Sequence, residues 1–427
     1  MAGFPHAARI LGIAALVALL LMTLGPGAAA AAPQAAPATW HVVIGGEAGV
    51  EPVEQGPVPR WTFMRFYPAA ITIDVGDTIH WTLATTELHT VSFLAPGQAL
   101  PAFEVPEGGG GQRMLINPQV AFPAGGPRYD GTAYANSGQL DKGGQAPTDY
   151  SLTFTEAGTY PYLCIVHTHP GADGKPEGML GVVTVQPAGA PYPQTQAQID
   201  AAAAAQLATD TRMATQAEPA ATQVTTAPGP NGTTMYNVNV GYGDMMMDYM
   251  RFAPSELTIA QGDTVVFTQR APGAPHTVTF ASGGAEPDLV LPEPQPGGPP
   301  KLVLNPAVLN PAGGRVYSGT GYFNSGWLNG ATTPAPGPRS YALTFDTPGR
   351  FAYYCVLHDD QGMVAHITVQ ARAAMPGLPN TGGGGAGRPP LSPDAHAKAM
   401  ALVLALVSAR ARSSRTTEGS AARRRTA

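Results

Sequence analysis

The amino-acid sequence predicts an all-β protein built as two tandem sandwich domains, and three observations carry that prediction. Apolar residues alternate in short runs, as in Ile71, Ile73 and Val75, then, after the Gly76-Asp77 break, Ile79, Trp81 and Leu83. The chain of 427 residues contains 52 glycines and 44 prolines but only 12% charged residues, a balance that suits turn-rich β structure and leaves little for long helices. The third observation is repetition. "FMRFYPAAITIDVGDTIHWT" from Phe63 answers "YMRFAPSELTIAQGDTVVFT" from Tyr249, and "INPQVAFPAGGPRYDGTAYANSGQL" from Ile116 answers "LNPAVLNPAGGRVYSGTGYFNSGWL" from Leu304. The offset is 186 residues at Gly76 and Gly262, 188 at Asn117 and Asn305, and 191 at Cys164 and Cys355, so the copies differ by small loop insertions.

Taken in order, residues 1–32 carry Arg9, an apolar run from Ile10 to Leu24 and then "GPGAAAAAP", the layout of a secretory signal peptide, so a secreted, extracytoplasmic protein is expected. Residues 39–186 form the first domain. Its later strands are read from "YSLTFTEAGTYPYLC" at Tyr150, two alternating runs divided by Ala-Gly, as "YALTFDTPGRFAYYC" at Tyr341 is by Pro-Gly in the second copy. Long excursions are expected near Pro96 to Gly126 and Gly283 to Pro300. A linker of Pro, Ala, Gln and Thr follows over 187–232; its alanine-rich middle, Gln196 to Ala217, predicts a short helix acting as a semi-rigid spacer. Residues 233–370 form the second domain. The tail, 371–427, holds "LPNTG" from Leu378, an apolar patch from Ala399 to Ala409 and a run of arginines. That order resembles a cell-wall sorting signal read by sortases, which implies cleavage after Thr381 and attachment to the wall; the apolar patch is well short of the roughly 20 residues a spanning helix needs.

Charge narrows the partners. The chain has 23 basic and 29 acidic residues, and removal of both ends would take nine basic and two acidic residues, leaving 14 against 27 and a net charge of −13. A surface of that sign repels nucleic acid and anionic lipid.

The chemistry lies in side chains that both copies place at corresponding positions. The second offers His276 in "APHTVTF", Cys355, His358 and Met363; the first offers His89 in "ELHTVSF", Cys164, His167 and Met179. Two imidazoles and a thiolate, with a weak axial thioether, are a donor set for copper: sulfur favours Cu(I) and imidazole accepts both oxidation states. A disulfide between Cys164 and Cys355 is the default for two cysteines in an exported chain, but their equivalent places at the buried ends of strands argue against a bridge between domains. His80 and His366 alternate out of phase with their apolar neighbours and read as solvated; His41 is ambiguous. The run "DMMMDYM" from Asp244 reads either as thioethers for Cu(I) or, more simply, as strand-edge packing.

A Gly-Asp-Thr turn before the strand that leads to the first histidine, and Cys-x2-His-x4-Met before the last strand, resemble the cupredoxin fold of the plastocyanin and azurin family. The resemblance implies a Greek-key sandwich in each copy, one blue copper centre per domain and two coppers per chain. It also implies single-electron exchange with redox partner proteins outside the membrane. His276 and His358 would be equatorial, Cys355 the thiolate and Met363 axial. The first copy departs from the pattern: "THPGADGKPEG" separates His167 from Met179, and Cys164-x4-His169 is also a spacing the family uses, so His167 and His169 both stand as candidates. Two-domain copper oxidases and copper nitrite reductases resemble this layout too. They need further clustered histidines, however, and Cys164 is flanked by Leu163 and Ile165, Cys355 by Tyr354 and Val356. Copper storage or delivery is the third class; the methionine run is its one positive sign.

Overall fold

The computed structural model describes residues 36–372, apart from 54–55, 109–112, 144–145 and 329–337. The leader, the LPNTG segment and the arginine-rich end lie outside the described residues. Alternation does what the sequence requires: Thr78–Leu83 buries Ile79, Trp81 and Leu83 and turns Thr78, His80 and Thr82 outward. In the first copy it runs beside Thr39–Ala48 in parallel and Asp149–Phe154 antiparallel. The facing sheet runs Ala135–Asn136, Ser92–Phe93, Gly158–Pro170, Pro176–Gln186, Ala70–Asp74. The second copy repeats this with Thr234–Val240, Thr264–Gln269 and Ser340–Phe345 in one sheet. Glu256–Ala260, Val364–Gln370, Gly349–Tyr354 and Thr279–Phe280 lie in the other.

Equivalent aromatic side chains fill both cores. Trp81 meets Tyr162 at 5.5 Å between ring centroids, and Phe267 meets Tyr353 at 5.3 Å; all four are fully buried. Burying such a ring contributes about 1.5–3 kcal/mol, so the paired cores account for much of the driving force. The Gly-Asp-Thr turns are pinned from beneath: Asp77 accepts from the Ala38 N–H (2.7 Å), Trp40 Nε1 (2.9 Å) and Tyr192 Oη (2.9 Å), and Asp263 accepts from the Thr234 N–H (2.9 Å).

The segment expected to be a spacer is a docked helix. It spans Gln196–Ala221, opens with a Thr195 capping box completed by Gln198, and carries Pro219 in its last turn. Ala214 and Ala221 pack with Ala48, Trp61, Phe63, Tyr67, Tyr249 and Ala253, while Leu207 and Ala217 border the same cluster. Alanine permits this close approach, and Asp210 fixes it by accepting from Tyr67 Oη at 2.7 Å with Arg65 Nε at 3.1 Å. The helix therefore braces the two copies instead of separating them. Beyond it, Thr225–Pro228, sited in the linker by sequence, pairs with Thr234–Val240 as an edge strand.

The copies also share sheets. Met247–Tyr249 adds antiparallel to Trp61–Tyr67, so part of the methionine run is strand pairing between copies. The excursions meet as well: Val290–Glu293, Lys301–Leu304, Met114–Ile116 and Glu104–Pro106 form one four-stranded sheet, with cross-copy ion pairs from Lys301 to Glu107 (2.7 Å) and Arg113 to Glu293 (2.6 Å).

Candidate metal centres

Each centre is assembled from a histidine on one edge of the sandwich and a loop that closes the other. His89 exchanges both backbone hydrogen bonds with Leu140 (3.1 and 2.8 Å), as His276 does with Leu328 (3.2 and 2.8 Å), which holds each imidazole at the mouth of its sandwich. In the second copy the strand ends at Tyr354, and Cys355 begins a tight loop. The His358 N–H donates to the Cys355 carbonyl, the Met363 N–H to the His358 carbonyl and the Cys355 N–H to the Met363 carbonyl, at 3.0–3.1 Å. In the first copy the Gly158–Pro170 and Pro176–Gln186 strands lose register between Leu163 and Thr168, so Cys164 to His167 bulge out of the ladder. The seven extra residues prolong the hairpin, with Thr168, His169 and Pro170 opposite Gly178, Glu177 and Pro176.

The donors converge in both copies. Cys164 Sγ lies 3.5 Å from His89 Nδ1 and 3.5 Å from His167 Nδ1, and the two nitrogens are 3.2 Å apart. Cys355 Sγ lies 3.8 Å from His276 Nδ1 and 3.6 Å from His358 Nδ1, with the nitrogens 3.0 Å apart. A point equidistant from the three atoms of either triangle is about 2.0 Å from each, which is metal–nitrogen distance and slightly short for sulfur, so the residues present fit a trigonal metal. Met179 and Met363 are fully buried and belong to the same core clusters as Cys164 and Cys355 respectively. His169 goes elsewhere: its Nε2 lies 3.7 Å from Glu177 Oε2. Both cysteines are free. His80 bonds Ser151 Oγ (2.8 Å) and His366 bonds Glu256 Oε1 (2.9 Å), neither near a triangle; His41 packs edge-on against His80.

Supporting groups are duplicated too. The Thr90 and Thr277 N–H groups each donate to the cysteine sulfur at 3.3 Å, while the hydroxyls of the same threonines accept from the N–H of the residue after the cysteine at 2.9 Å. Behind each histidine stands a glycine in the left-handed region, Gly45 (φ 69°) and Gly241 (φ 63°); a Cβ there would come within 3.1 Å of His89 Nε2 or 2.6 Å of His276 Nε2.

Two buried carboxylates were not singled out by sequence, and each occurs in one copy only. Asp248 Oδ2 sits 3.0 Å from His276 Nε2, both side chains fully buried; at the equivalent place stands Thr62, and His89 Nε2 has no hydrogen-bond partner. Glu87 sits 3.6 Å from His167 Nε2 and 3.4 Å from His358 Nε2. Asp248 lay inside the run read for its methionines. Glu87 precedes His89 by two residues, where a lone carboxylate looks no different from a solvated one.

These neighbours set the charges. Burial opposes ionisation of the thiols, but His167 and His89 outweigh it and hold Cys164 well below the usual thiol range, and His358 and His276 bring Cys355 down to about 5. Burial likewise opposes protonation of the imidazoles; Cys164 and Glu87 nevertheless raise His167 to about 9, and Asp248 with Cys355 raises His276 to about 9. His89, lacking a carboxylate behind it, is pushed down by burial. A sulfur that favours the thiolate form is a metal ligand.

The chain matches the family described as copper binding proteins, plastocyanin/azurin family, over residues 59–186 and 238–370. It is 33% identical over 119 residues to a plastocyanin of Scenedesmus fuscus, covering 28% of this chain and 86% of that protein. It is 32% identical over 119 residues to a chloroplastic plastocyanin of Tetradesmus obliquus, and 29% over 121 residues to a plastocyanin minor isoform of Arabidopsis thaliana. Each of these covers 28% of this chain, which spans 58% and 52% of those two relatives. Among solved structures, a mutant amicyanin in the Cu(I) form is similar at 22% identity and a TM-score of 0.18, covering 35% of this chain and 82% of that one. Oxidised plastocyanin from Dryopteris crassirhizoma is similar at 19% and 0.18, covering 34% and 99%. Two groups of histidine, cysteine and histidine, one per copy, fit two copper sites.

Proposed function

Because this chain belongs to the plastocyanin/azurin family of copper-binding proteins, we propose that it is a two-centre blue copper protein carrying single electrons between redox proteins outside the cytoplasm. His89, Cys164 and His167 would hold one copper and His276, Cys355 and His358 the other, with Met179 and Met363 as axial thioethers. The observation that carries this reading is the doubled donor triangle, preset by backbone hydrogen bonds and enclosed: the eight residues are at most 3% exposed. Bound copper would supply one-electron exchange between its two oxidation states. The protein's part is to aim both Nδ1 atoms inward, keep water out, and donate the Thr90 and Thr277 N–H groups to sulfur so that little moves when charge changes.

Export, a sortase-mediated link through Thr381 and redox proteins as partners belong to the same proposal. They are supported by the signal-like leader, the LPNTG motif and the acidic balance of the remaining chain. No helix among the described residues is long and apolar enough to cross a membrane.

The test is a copper count with visible and electron paramagnetic resonance (EPR) spectra on the full chain, Cys164→Ser and Cys355→Ser. The expected result is two coppers with an intense thiolate band that ascorbate bleaches, falling to one in each variant. Catalytic consumption of oxygen or nitrite, many turnovers per copper, would move the assignment to an enzyme, and a colourless Cu(I)-only protein to storage or delivery.

A further inference from the structure

The contact between the copies has the pattern of a twofold-symmetric dimer. At the 186-residue offset Trp61, Thr62 and Phe63 answer Met247, Asp248 and Tyr249, and the strands pair antiparallel as Trp61 with Tyr249, Thr62 with Asp248, Phe63 with Met247. Val303, which answers Leu115 at the 188-residue offset, pairs with Leu115 itself. A symmetric contact sets equivalent surfaces face to face, and here those surfaces carry His167 and His358. One carboxylate fills the space between them: Glu87 Oε1 is 3.6 Å from His167 Nε2 and Glu87 Oε2 is 3.4 Å from His358 Nε2.

Each of the two imidazoles has its Nδ1 toward its own cysteine sulfur and its Nε2 toward the same glutamate. Glu87 is held by its own N–H donating to Thr85 Oγ1 (3.1 Å) and by Gln361 Nε2 donating to Oε2 (3.3 Å). The region is dry: Glu87, His167, His358 and Gln361 are 6%, 2%, 3% and 4% exposed. Two residues before His276 stands Ala274, so one bridge serves both centres.

Resting on the reading of both sites as one-electron copper centres, we propose that Glu87 is the conduit by which an electron crosses from one centre to the other, making the chain an internal relay. With copper bound at both sites the step would balance within the molecule: the centre giving the electron would go from Cu(I) to Cu(II), the one receiving it from Cu(II) to Cu(I), and no ligand or proton would leave. The electron enters from, and departs to, the partner redox proteins of the proposed function. Electronic coupling decays more slowly through closely packed atoms than across a gap, so the carboxylate packed between the two ring edges governs the rate.

The experiment uses the full copper-loaded chain, Glu87→Ala and Glu87→Gln. A substoichiometric reducing pulse is followed by freeze-quenched EPR, reading the concentration-independent redistribution between the centres; the intercopper distance of the oxidised protein is measured by dipolar EPR. Glu87→Ala should slow redistribution by an order of magnitude or more at unchanged distance. Glu87→Gln, which keeps the bridge and removes its charge, should redistribute at nearly the parent rate. Parent-like exchange in Glu87→Ala overturns the conduit. So does a slower exchange that accompanies a lengthened distance, which would make Glu87 a docking residue. Absence of two copper–thiolate bands in the parent would overturn the proposed function itself, and the conduit with it.

Discussion

Replacing Asp248 by asparagine is expected to raise the reduction potential of the second centre by about 100 mV. The carboxylate touches His276 Nε2 at 3.0 Å with both side chains fully buried. The width of the imidazole then puts it roughly 7 Å from a metal held on the Nδ1 side. At an effective dielectric of about 20, one unit charge at that distance stabilises the more positive copper state by about 2.4 kcal/mol, which for one electron is about 100 mV. Asparagine keeps an oxygen to accept from Nε2 and deletes only the charge. Since Thr62 occupies the equivalent place in the first copy, the parent's second centre should lie below its first, so electrons would run downhill from the second to the first. Spectroelectrochemical titration in a Cys164→Ser background, where one coloured centre remains, reads the shift directly. A fall in potential, or a rise of less than a third of the expected size, would refute the argument.

Three further outcomes can be checked on stability and loading. Burial alone raises the Glu104 carboxyl from 4.5 to about 7; the folded state binds more protons than the unfolded between those values, so its stability falls as pH rises from 4.5 through 7. Glu104→Gln should accordingly stabilise the protein by up to about 3 kcal/mol at pH 8 and hardly at all at pH 4, read by urea unfolding. Asp210→Ala strips the buried Tyr67 hydroxyl of its acceptor and should cost about 1–3 kcal/mol in the same assay; no change would mean the helix is not braced there. Gly241→Ala forces a side chain onto His276 in the left-handed region and should cost about 1–2 kcal/mol while weakening copper at the second centre alone, seen in the copper count.

Much of this was legible in the chain. Alternation around Trp81 and Phe267 gives the strands, the repeat gives the duplication, and the corresponding places of His89 and His276 ahead of their Cys-x2-His loops point to paired donors, because each signal is local or set by spacing. What escaped was how the copies meet. Trp61 and Phe63 look like any half-buried strand, and nothing in "DMMMDYM" says that Asp248 turns inward behind a histidine. The alanine-rich run does predict the helix, but not its docking, for a related reason: it packs through alanines at 203, 214, 217 and 221, whose small side chains leave little periodic contrast, while Met213 faces out, 43% exposed. Glu87 gains its meaning from His358, 271 residues away, a proximity that only the assembled interface creates.

The strand pairing of Trp61–Tyr67 with Met247–Tyr249 has a consequence for anyone dividing the chain. Cutting through the Gln196–Ala221 helix would strip each half of its neighbour and leave a bare row of backbone donors and acceptors along that edge. Because the two edges are near-replicas, a lone half carries the means to clasp another of its own kind. Such fragments should therefore come off a sizing column as pairs, retracing in two molecules an architecture that the parent achieves in one.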